Sequence, residues 1–168
     1  MRTVPEDTMP AFEAGLVGGR LWRLAEEHPS KLALLAFYHG VHCPICRHWL
    51  GDLERLVPRF VEHGVSVIAL SCDTRERGER AKSEWKLEEL RVGYGVSPVD
   101  ARKAGLYLSE KEDHLFTEPA VLAVKPEDGT LYAAWVQSTP HARPHFAEVL
   151  SAVENMLAKD LPRPKGAA

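Results

Sequence analysis

The stretch "FYHGVHCPIC", residues 37–46, contains two cysteines three positions apart, beside histidines and directly after an apolar run. Three interpretations are open: a redox pair, a metal site, or two buried cysteines that happen to be close. The run "KLALLAFYH" is continuously apolar, which favours a strand buried on both faces. After Pro44 the apolar residues recur every three or four positions, which predicts a helix ending near Gly64. The two cysteines therefore lie where a central strand runs into a helix.

The rest of the chain predicts an α/β sandwich with the order β-β-β-α-β-α-α-β-β-α. "LVGGRLW" and "PAVLAVKPEDGTLYAAWV" predict hairpins, and "VSVIALS" predicts a second buried strand parallel to the first. "RERGERAKSEWKLEEL", "SPVDARKAG" and residues 146–157 predict three further helices. Pro58 is expected to bend the first helix or end it early. The domain is expected to span residues 11–161, with terminal extensions at 1–10 and 162–168.

Composition excludes several kinds of partner. A chain of 168 residues with 45% hydrophobic content can bury a core without disulfides. Its 21 basic and 24 acidic residues are interspersed, so no nucleic-acid partner and no membrane anchor are predicted. The first ten residues, "MRTVPEDTMP", do not resemble a secretory signal, and we expect a cytoplasmic protein. In a reducing compartment its three cysteines should be catalytic, metal-binding or buried.

The position of the two cysteines favours redox chemistry. Pro44 suits the first position of a helix, so Cys43 should be the cap residue, with its sulfur facing free N–H groups and the positive end of the helix dipole. Such surroundings lower the pKa of a cysteine from about 8.5 into a range of about 3.5 to 7.5. Cys46 lies one turn further on and should be more shielded. Such a pair can attack a disulfide or a peroxide and then close an internal disulfide.

One alternative, a metal site, and the roles of two further residues remain open. A zinc site is conceivable because His39, His42 and His48 flank the cysteines, while "HARPH" adds His141 and His145. No second cysteine pair completes a set of four ligands, so we predict no metal and no other cofactor. His42 could stabilise the Cys43 thiol or accept its proton. Cys72, at the end of the next strand, is either a second resolving thiol or a buried structural cysteine.

Several segments resemble a known family. "FYHGVHCPIC" resembles the active-site segment of the thioredoxin superfamily, whereas "VIALSCDT", "EPAVLAV" and "DGTLY" resemble its peroxiredoxin branch, the alkyl hydroperoxide reductase and thiol-specific antioxidant family. The resemblance spans about residues 14–160 and is closest to a peroxiredoxin-like subgroup that keeps a cysteine pair. It implies a thioredoxin-like fold, with a mixed central sheet flanked by helices on both faces.

The resemblance leaves the attacking sulfur open. Alignment with thioredoxin gives Cys43 the place of the attacking cysteine and Cys46 that of the second one. Alignment with peroxiredoxins puts the peroxide-attacking cysteine at Cys46, and His39 and Cys43 then stand where that family has proline and threonine.

Other site residues are implied by the same resemblance. The arginine that polarises peroxide could be Arg47 or Arg143. Pro119 matches the cis-proline that faces the cysteine pair in thioredoxin folds. The backbone of Glu118 would then lie near the disulfide partner and help to orient a substrate.

The implied function is a thiol-dependent peroxidase. It would reduce hydrogen peroxide or alkyl hydroperoxides, be regenerated by a thioredoxin-like dithiol donor, and form a homodimer. The alternatives are a thioredoxin-like disulfide oxidoreductase and a non-enzymatic redox sensor or zinc-binding module.

Overall fold

A computed structural model describes residues 3–167 of the chain. Its elements are β1 (Glu13–Leu16), β2 (Leu21–Arg23), β3 (Leu32–Phe37), α1 (Pro44–Glu62), β4 (Val65–Leu70), α2 (Arg75–Glu84), β5 (Arg91–Tyr94), α3 (Pro98–Lys103), β6 (Leu108–Lys111), β7 (His114–Thr117), β8 (Ala120–Lys125), β9 (Thr130–Val136) and α4 (Phe146–Ala158). Within the described residues, seven strands form one sheet in the order β2-β1-β5-β4-β3-β8-β9, and β6 and β7 form a separate hairpin. The sheet is mixed, because β3, β4 and β5 run parallel while β8, β9, β1 and β2 add antiparallel pairings.

Strand β3 lies in the interior of the sheet and separates two hydrophobic cores. Leu32, Leu34 and Ala36 pack into the core that α1 and α4 cover, and the alternate residues of β3 pack into the core that includes α3. All six residues of β3 are buried, as expected for a strand with helices on both faces. The predicted mixed sheet flanked by helices is therefore confirmed.

Most of the predicted elements are present. Both hairpins, the parallel β3-α1-β4 unit and the closing helix form where the sequence indicates. The short helix α3 begins after Ser97, whose side-chain oxygen accepts the N–H of Asp100. The predicted early end of α1 at Pro58 is wrong, because the helix continues to Glu62. Buried Val57 and Phe60 fix this last part of α1 against the sheet, and that packing outweighs the single hydrogen bond lost at proline.

Three strands are absent from the predicted order. Strand β5 is only four residues long and follows a strongly charged segment, so its alternation is too short to be recognised. Strands β6 and β7 meet at Glu112 and Asp113, which adopt φ values of 51° and 61°. A hairpin with two left-handed turn residues is usually signalled by Asn-Gly or Asp-Gly, and neither dipeptide is present here.

The chain termini lie against the edge of the sheet. The N–H of Glu6 donates to the carbonyl of Leu131 in β9 at 2.8 Å, and the N–H of Leu131 donates to Asp7 at 2.9 Å. The Tyr132 hydroxyl donates to the carbonyl of Pro162 at 2.6 Å. The predicted extensions thus make hydrogen bonds with β9, although residues 1, 2 and 168 lie outside the described part. Among residues 3–167, no helix has the length and apolar character needed to cross a membrane.

Candidate active site

The cysteine pair, Cys43 and Cys46, lies at the beginning of α1. Cys43 is the cap residue, with Pro44 at the first helical position, and its sulfur accepts the backbone N–H of Cys46 at 3.3 Å. Cys46 is fully buried, and 7% of Cys43 is exposed. Both are free thiols. Cys43 is thus the more accessible sulfur, although it is more deeply buried than the sequence suggested.

Arg143 bridges the two sulfurs from the loop between β9 and α4. Its Nη1 donates to Cys46 Sγ at 3.2 Å, and its Nη2 lies 3.6 Å from Cys43 Sγ. The guanidinium carbon lies 5.4 Å from the centre of the Trp49 ring. Trp49 is itself fixed, because its ring N–H donates to the carbonyl of Pro144 at 2.9 Å and its ring stacks on Phe146. Arg47, the other candidate arginine, is exposed.

A buried histidine, His39, approaches the pair from the loop that follows β3. His39 Nε2 and Glu118 Oε2 are 2.8 Å apart, and the Ser109 hydroxyl donates to the other Glu118 oxygen at 2.5 Å. A ring nitrogen of His39 lies within 4.8 Å of both cysteine sulfurs. Burial lowers the pKa of His39, but hydrogen bonding with Cys43 and Glu118 outweighs burial and raises it overall.

His42, which the sequence favoured as the thiol's partner, has an exposed side chain whose ring lies 5.2 Å from that of Phe116. A role of His42 as the partner of the Cys43 thiol therefore stays a prediction. The sequence signal for the role of His39 is the side chain of Glu118, a carboxylate inside the apolar segment "LFTEPAVLAV", because a carboxylate in such a segment requires a buried polar partner.

These surroundings shift the pKa values of the two thiols in opposite directions. The pKa of Cys43 is lowered, chiefly by a hydrogen bond from the Cys46 thiol and further by His39, the helix N–H and Arg143. The pKa of Cys46 is raised, because burial and the neighbouring Cys43 sulfur disfavour its ionisation. These surroundings favour ionisation of Cys43 and keep the proton on Cys46.

Pro119 and Glu118 differ from what was expected of them. The prediction that Pro119 follows a cis peptide bond is wrong, since residues 3–167 contain only trans bonds. The segment continues from β7 into β8 as extended chain, and the carbonyl of Pro119 accepts the N–H of Gln137 at 3.0 Å. Glu118 approaches the pair through its side chain, which pairs with His39, while its backbone N–H donates to the carbonyl of Tyr107. The expected role of its backbone in orienting a substrate stays a prediction.

Cys72 packs into the core on the other side of the sheet from the cysteine pair. Burial raises its pKa to about 11. This environment favours the structural interpretation of Cys72 over a second resolving thiol.

The zinc hypothesis finds a partial set of donors. Donor atoms of His39, Cys43 and Cys46 lie within 4.8 Å of one another, and His42, His48, His141 and His145 are not in that group. A closed structural zinc site has four ligands. The guanidinium of Arg143 beside both sulfurs also opposes a second cation. The prediction that no metal is bound stays untested, and metal analysis of protein purified without chelator would test it against the zinc alternative.

The fold and the site together define a class of protein. A cysteine pair that caps the helix after the central strand of a mixed, helix-flanked sheet is the arrangement of a thioredoxin-like oxidoreductase. The AhpC/TSA family model matches residues 5–134, and the chain belongs to that family. It is an oxidoreductase of the peroxiredoxin type.

Solved structures share this fold at low sequence identity. A cysteine-to-serine mutant of peroxiredoxin 6 from Arenicola marina is 21% identical, covers 93% of this chain and 74% of its own, and has a TM-score of 0.75. A peroxiredoxin-like protein from Aquifex aeolicus is 15% identical over 93% of this chain and 89% of its own, with a TM-score of 0.78. Reduced Prx3 from Vibrio vulnificus, in complex with hydrogen peroxide, is 14% identical over 89% and 97%, with a TM-score of 0.76. Comparison with curated protein sequences gave no match.

Proposed function

We propose that this protein reduces hydrogen peroxide or alkyl hydroperoxides, with Cys43 as the attacking thiolate and Cys46 as the resolving thiol. The observation that carries the proposal is the helix-capping Cys43 sulfur, which accepts the Cys46 N–H and lies beside the Arg143 guanidinium. Helix N–H groups and a fixed cation stabilise a thiolate, the nucleophilic form of cysteine. The peroxiredoxin alignment favours Cys46 as the attacking residue, but Cys46 is the more buried sulfur and its pKa is raised.

The reaction then has two steps on the protein. The Cys43 thiolate attacks the terminal oxygen of the peroxide, the O–O bond breaks, and Cys43 becomes a sulfenic acid, while the leaving oxygen takes up a proton and departs as an alcohol or water. The Cys46 thiol next condenses with that sulfenic acid, which releases water and forms the Cys43–Cys46 disulfide. A thioredoxin-like dithiol would reduce this disulfide and restore both thiols.

Two kinds of observation support peroxide as the substrate. Membership of the AhpC/TSA family gives the class of reaction, and the similar Vibrio vulnificus protein binds hydrogen peroxide. In this chain Arg143 lies where it could also donate to a peroxide oxygen held against Cys43, because its guanidinium already faces that sulfur.

Single cysteine variants test the assignment of the two sulfurs. Reduced Cys43→Ser and Cys46→Ser proteins would receive one equivalent of peroxide, and the sulfenic acid would be trapped with a dimedone-type reagent and read by intact mass. We expect the adduct in Cys46→Ser and none in Cys43→Ser. The reverse result would assign the attack to Cys46. Cys72→Ser is the matched control and should behave as the unmodified chain.

Stopped-flow measurement of peroxide consumption tests the activity itself. A reduced protein that consumes hydrogen peroxide and tert-butyl hydroperoxide no faster than free cysteine would contradict the proposal.

A disulfide oxidoreductase is the second candidate. The observation that favours it is the position of Cys43 as helix cap with Cys46 one turn behind, which matches the thioredoxin alignment. Insulin reduction separates the two functions, because turnover of insulin together with inertness toward peroxide would select the oxidoreductase. Association into a homodimer remains a prediction, which light scattering would test.

A further inference from the structure

His39, Glu118 and Ser109 form a continuous hydrogen-bonded chain that ends beside the Cys43 sulfur. Ser109 lies in β6, Glu118 lies between β7 and β8, and His39 follows β3, so three separate segments are brought together. His39 and Glu118 are buried. By the resemblance, peroxiredoxins have proline at the position of His39 and threonine at the position of Cys43. The hydrogen-bonded series from Ser109 through Glu118 to His39 is therefore additional to the motif of that family.

On the basis of the proposed peroxidase function, we infer that His39 is the proton donor to the leaving oxygen of the peroxide. Glu118 is the positioning residue that holds the imidazole in its reactive orientation. Ser109 fixes the Glu118 carboxylate in turn.

The hydrogen bonds decide which nitrogen is available to the site. Glu118 is bonded to Nε2, so a carboxylate there requires Nε2 to carry a proton. Nδ1 is the nitrogen that remains for the sulfur, and it takes up the proton that Cys43 releases on becoming a thiolate. The resting site is therefore an ion pair of Cys43 thiolate and His39 imidazolium, with one proton stored next to the nucleophile.

The charged and titratable groups around His39 differ in whether they can donate a proton in the first step. Glu118 is bonded to its Nε2, the Cys43 sulfur lies within 4.8 Å of a ring nitrogen, and the exposed His42 ring lies 6.2 Å away. Arg143 faces the sulfurs, but a guanidinium does not give up its proton. Asp73, on the neighbouring loop, accepts the N–H of Val41 and pairs with His114. Cys46 must keep its proton for the second step, which leaves His39 as the acid for the first.

The balanced reaction starts from Cys43 thiolate, imidazolium and hydroperoxide. The thiolate forms a bond to the terminal peroxide oxygen and the O–O bond breaks. The leaving alkoxide takes the His39 proton, which gives Cys43 sulfenic acid, an alcohol and neutral His39. Condensation with Cys46 then releases water. When a dithiol donor reduces the disulfide, its two protons return, one to Cys46 and one to His39.

The test compares two oxidants whose leaving groups need the proton to different extents. tert-Butyl hydroperoxide expels a strongly basic alkoxide, whereas a peroxy acid expels a weakly basic carboxylate. In His39→Gln we expect the alkyl hydroperoxide rate to fall about 100-fold and the peroxy acid rate to fall far less, since general acids typically contribute about 10²-fold to 10⁴-fold. The ratio of the two rates cancels any change in the amount of Cys43 thiolate. His48→Gln, which alters an exposed histidine of α1, is the control and should leave both rates unchanged.

Glu118→Gln tests the positioning role by the pH profile. The Glu118 carboxylate raises the pKa of His39, so its removal lowers that pKa. Because the reaction needs protonated His39, the loss of rate at increasing pH should begin at a lower pH in Glu118→Gln than in the unmodified chain. Glu118→Asp should restore part of the shift.

Two results would overturn the inference. The first is an equal loss for both oxidants in His39→Gln. The second is an unchanged pH profile in Glu118→Gln. This second test decides the question if circular dichroism shows that His39→Gln does not fold. Failure of the proposed function itself is recognisable separately, because the unmodified chain would then consume both oxidants no faster than free cysteine.

Discussion

Replacing Arg143 with methionine should raise the pKa of Cys43 and slow its attack on peroxide. Arg143 contacts both sulfurs, at 3.2 Å for Cys46 and 3.6 Å for Cys43, and its guanidinium lies over Trp49. Methionine keeps an apolar side chain of similar length against the indole and removes the charge. The variant therefore isolates the electrostatic contribution of the guanidinium from its packing.

The size of the effect follows from the hydrogen bonds. A hydrogen bond that involves a charged group contributes about 1.5 to 3 kcal/mol, and the Cys43 contact is the longer of the two, so we take about 1.5 kcal/mol. At about 1.4 kcal/mol per pKa unit, the pKa of Cys43 should rise by about one unit. The rate on the acid side of the pH profile should fall about tenfold. At neutral pH most of Cys43 stays ionised. A lower rate of peroxide consumption there therefore reflects lost stabilisation of the reacting peroxide oxygen.

Thiolate absorbance as a function of pH measures the first effect, and stopped-flow peroxide consumption measures the second. Both are best recorded in a Cys72→Ser background, which leaves the cysteine pair as the only thiols. Arg47→Met is the matched control, because Arg47 is exposed on α1, the helix that begins at the cysteine pair, and it should leave both measurements unchanged. A Cys43 titration in Arg143→Met that coincides with that of the parent protein would refute the electrostatic explanation.

Three further predictions concern the scaffold. Gly40→Ala should lower both the thermal midpoint and the peroxide rate, because Gly40 has a φ of 143° and an added Cβ would lie 2.6 Å from the Asp73 carboxylate. Gly51→Ala is the control: its Cβ meets nothing within 4 Å, so the substitution should stabilise α1 by about 0.5 to 1 kcal/mol. Glu27 is buried, which by itself raises its pKa, but hydrogen bonds from Arg91, Ser66 and Trp22 lower the pKa overall. Its stabilisation is therefore complete above the usual value of 4.5 and lost as the pH falls through the lowered value, so Glu27→Gln should flatten the acid side of a plot of thermal midpoint against pH. Leu53→Ala, in the core under α1, should cost about 2 to 5 kcal/mol in urea unfolding, whereas Val61→Ala, on the exposed face of the same helix, should change stability by less than about 0.5 kcal/mol.

The part of the site that sequence predicts is the part that is local in the chain. Pro44 fixes the helix start, so the cap position of Cys43 and the deeper position of Cys46 follow from adjacent residues. The contacts of Arg143 and His39 depend on tertiary packing. Arg143 reaches the pair from a loop that follows β9, and sequence could do no more than offer it beside Arg47.

The choice between two histidines shows the same limit. His42 is closest to Cys43 in sequence, but the turn before α1 leaves its side chain exposed. His39 is buried instead, because it follows the central strand and meets Glu118 from the loop before β8. The hydrophobic pattern of the sequence does not identify the contact between His39 and Glu118, since both residues are polar groups within apolar surroundings.

The burial of β3 on both faces has a consequence for how the protein opens. Each edge of the strand is paired, with β4 on one side and β8 on the other, so its amides are protected from exchange by two ladders and two cores. Hydrogen exchange of such amides requires the largest opening that the native protein undergoes. The cysteine pair follows this strand by a few residues, so partial unfolding of the terminal segments leaves the start of α1 in place. Loss of the redox site in denaturant should therefore coincide with global unfolding.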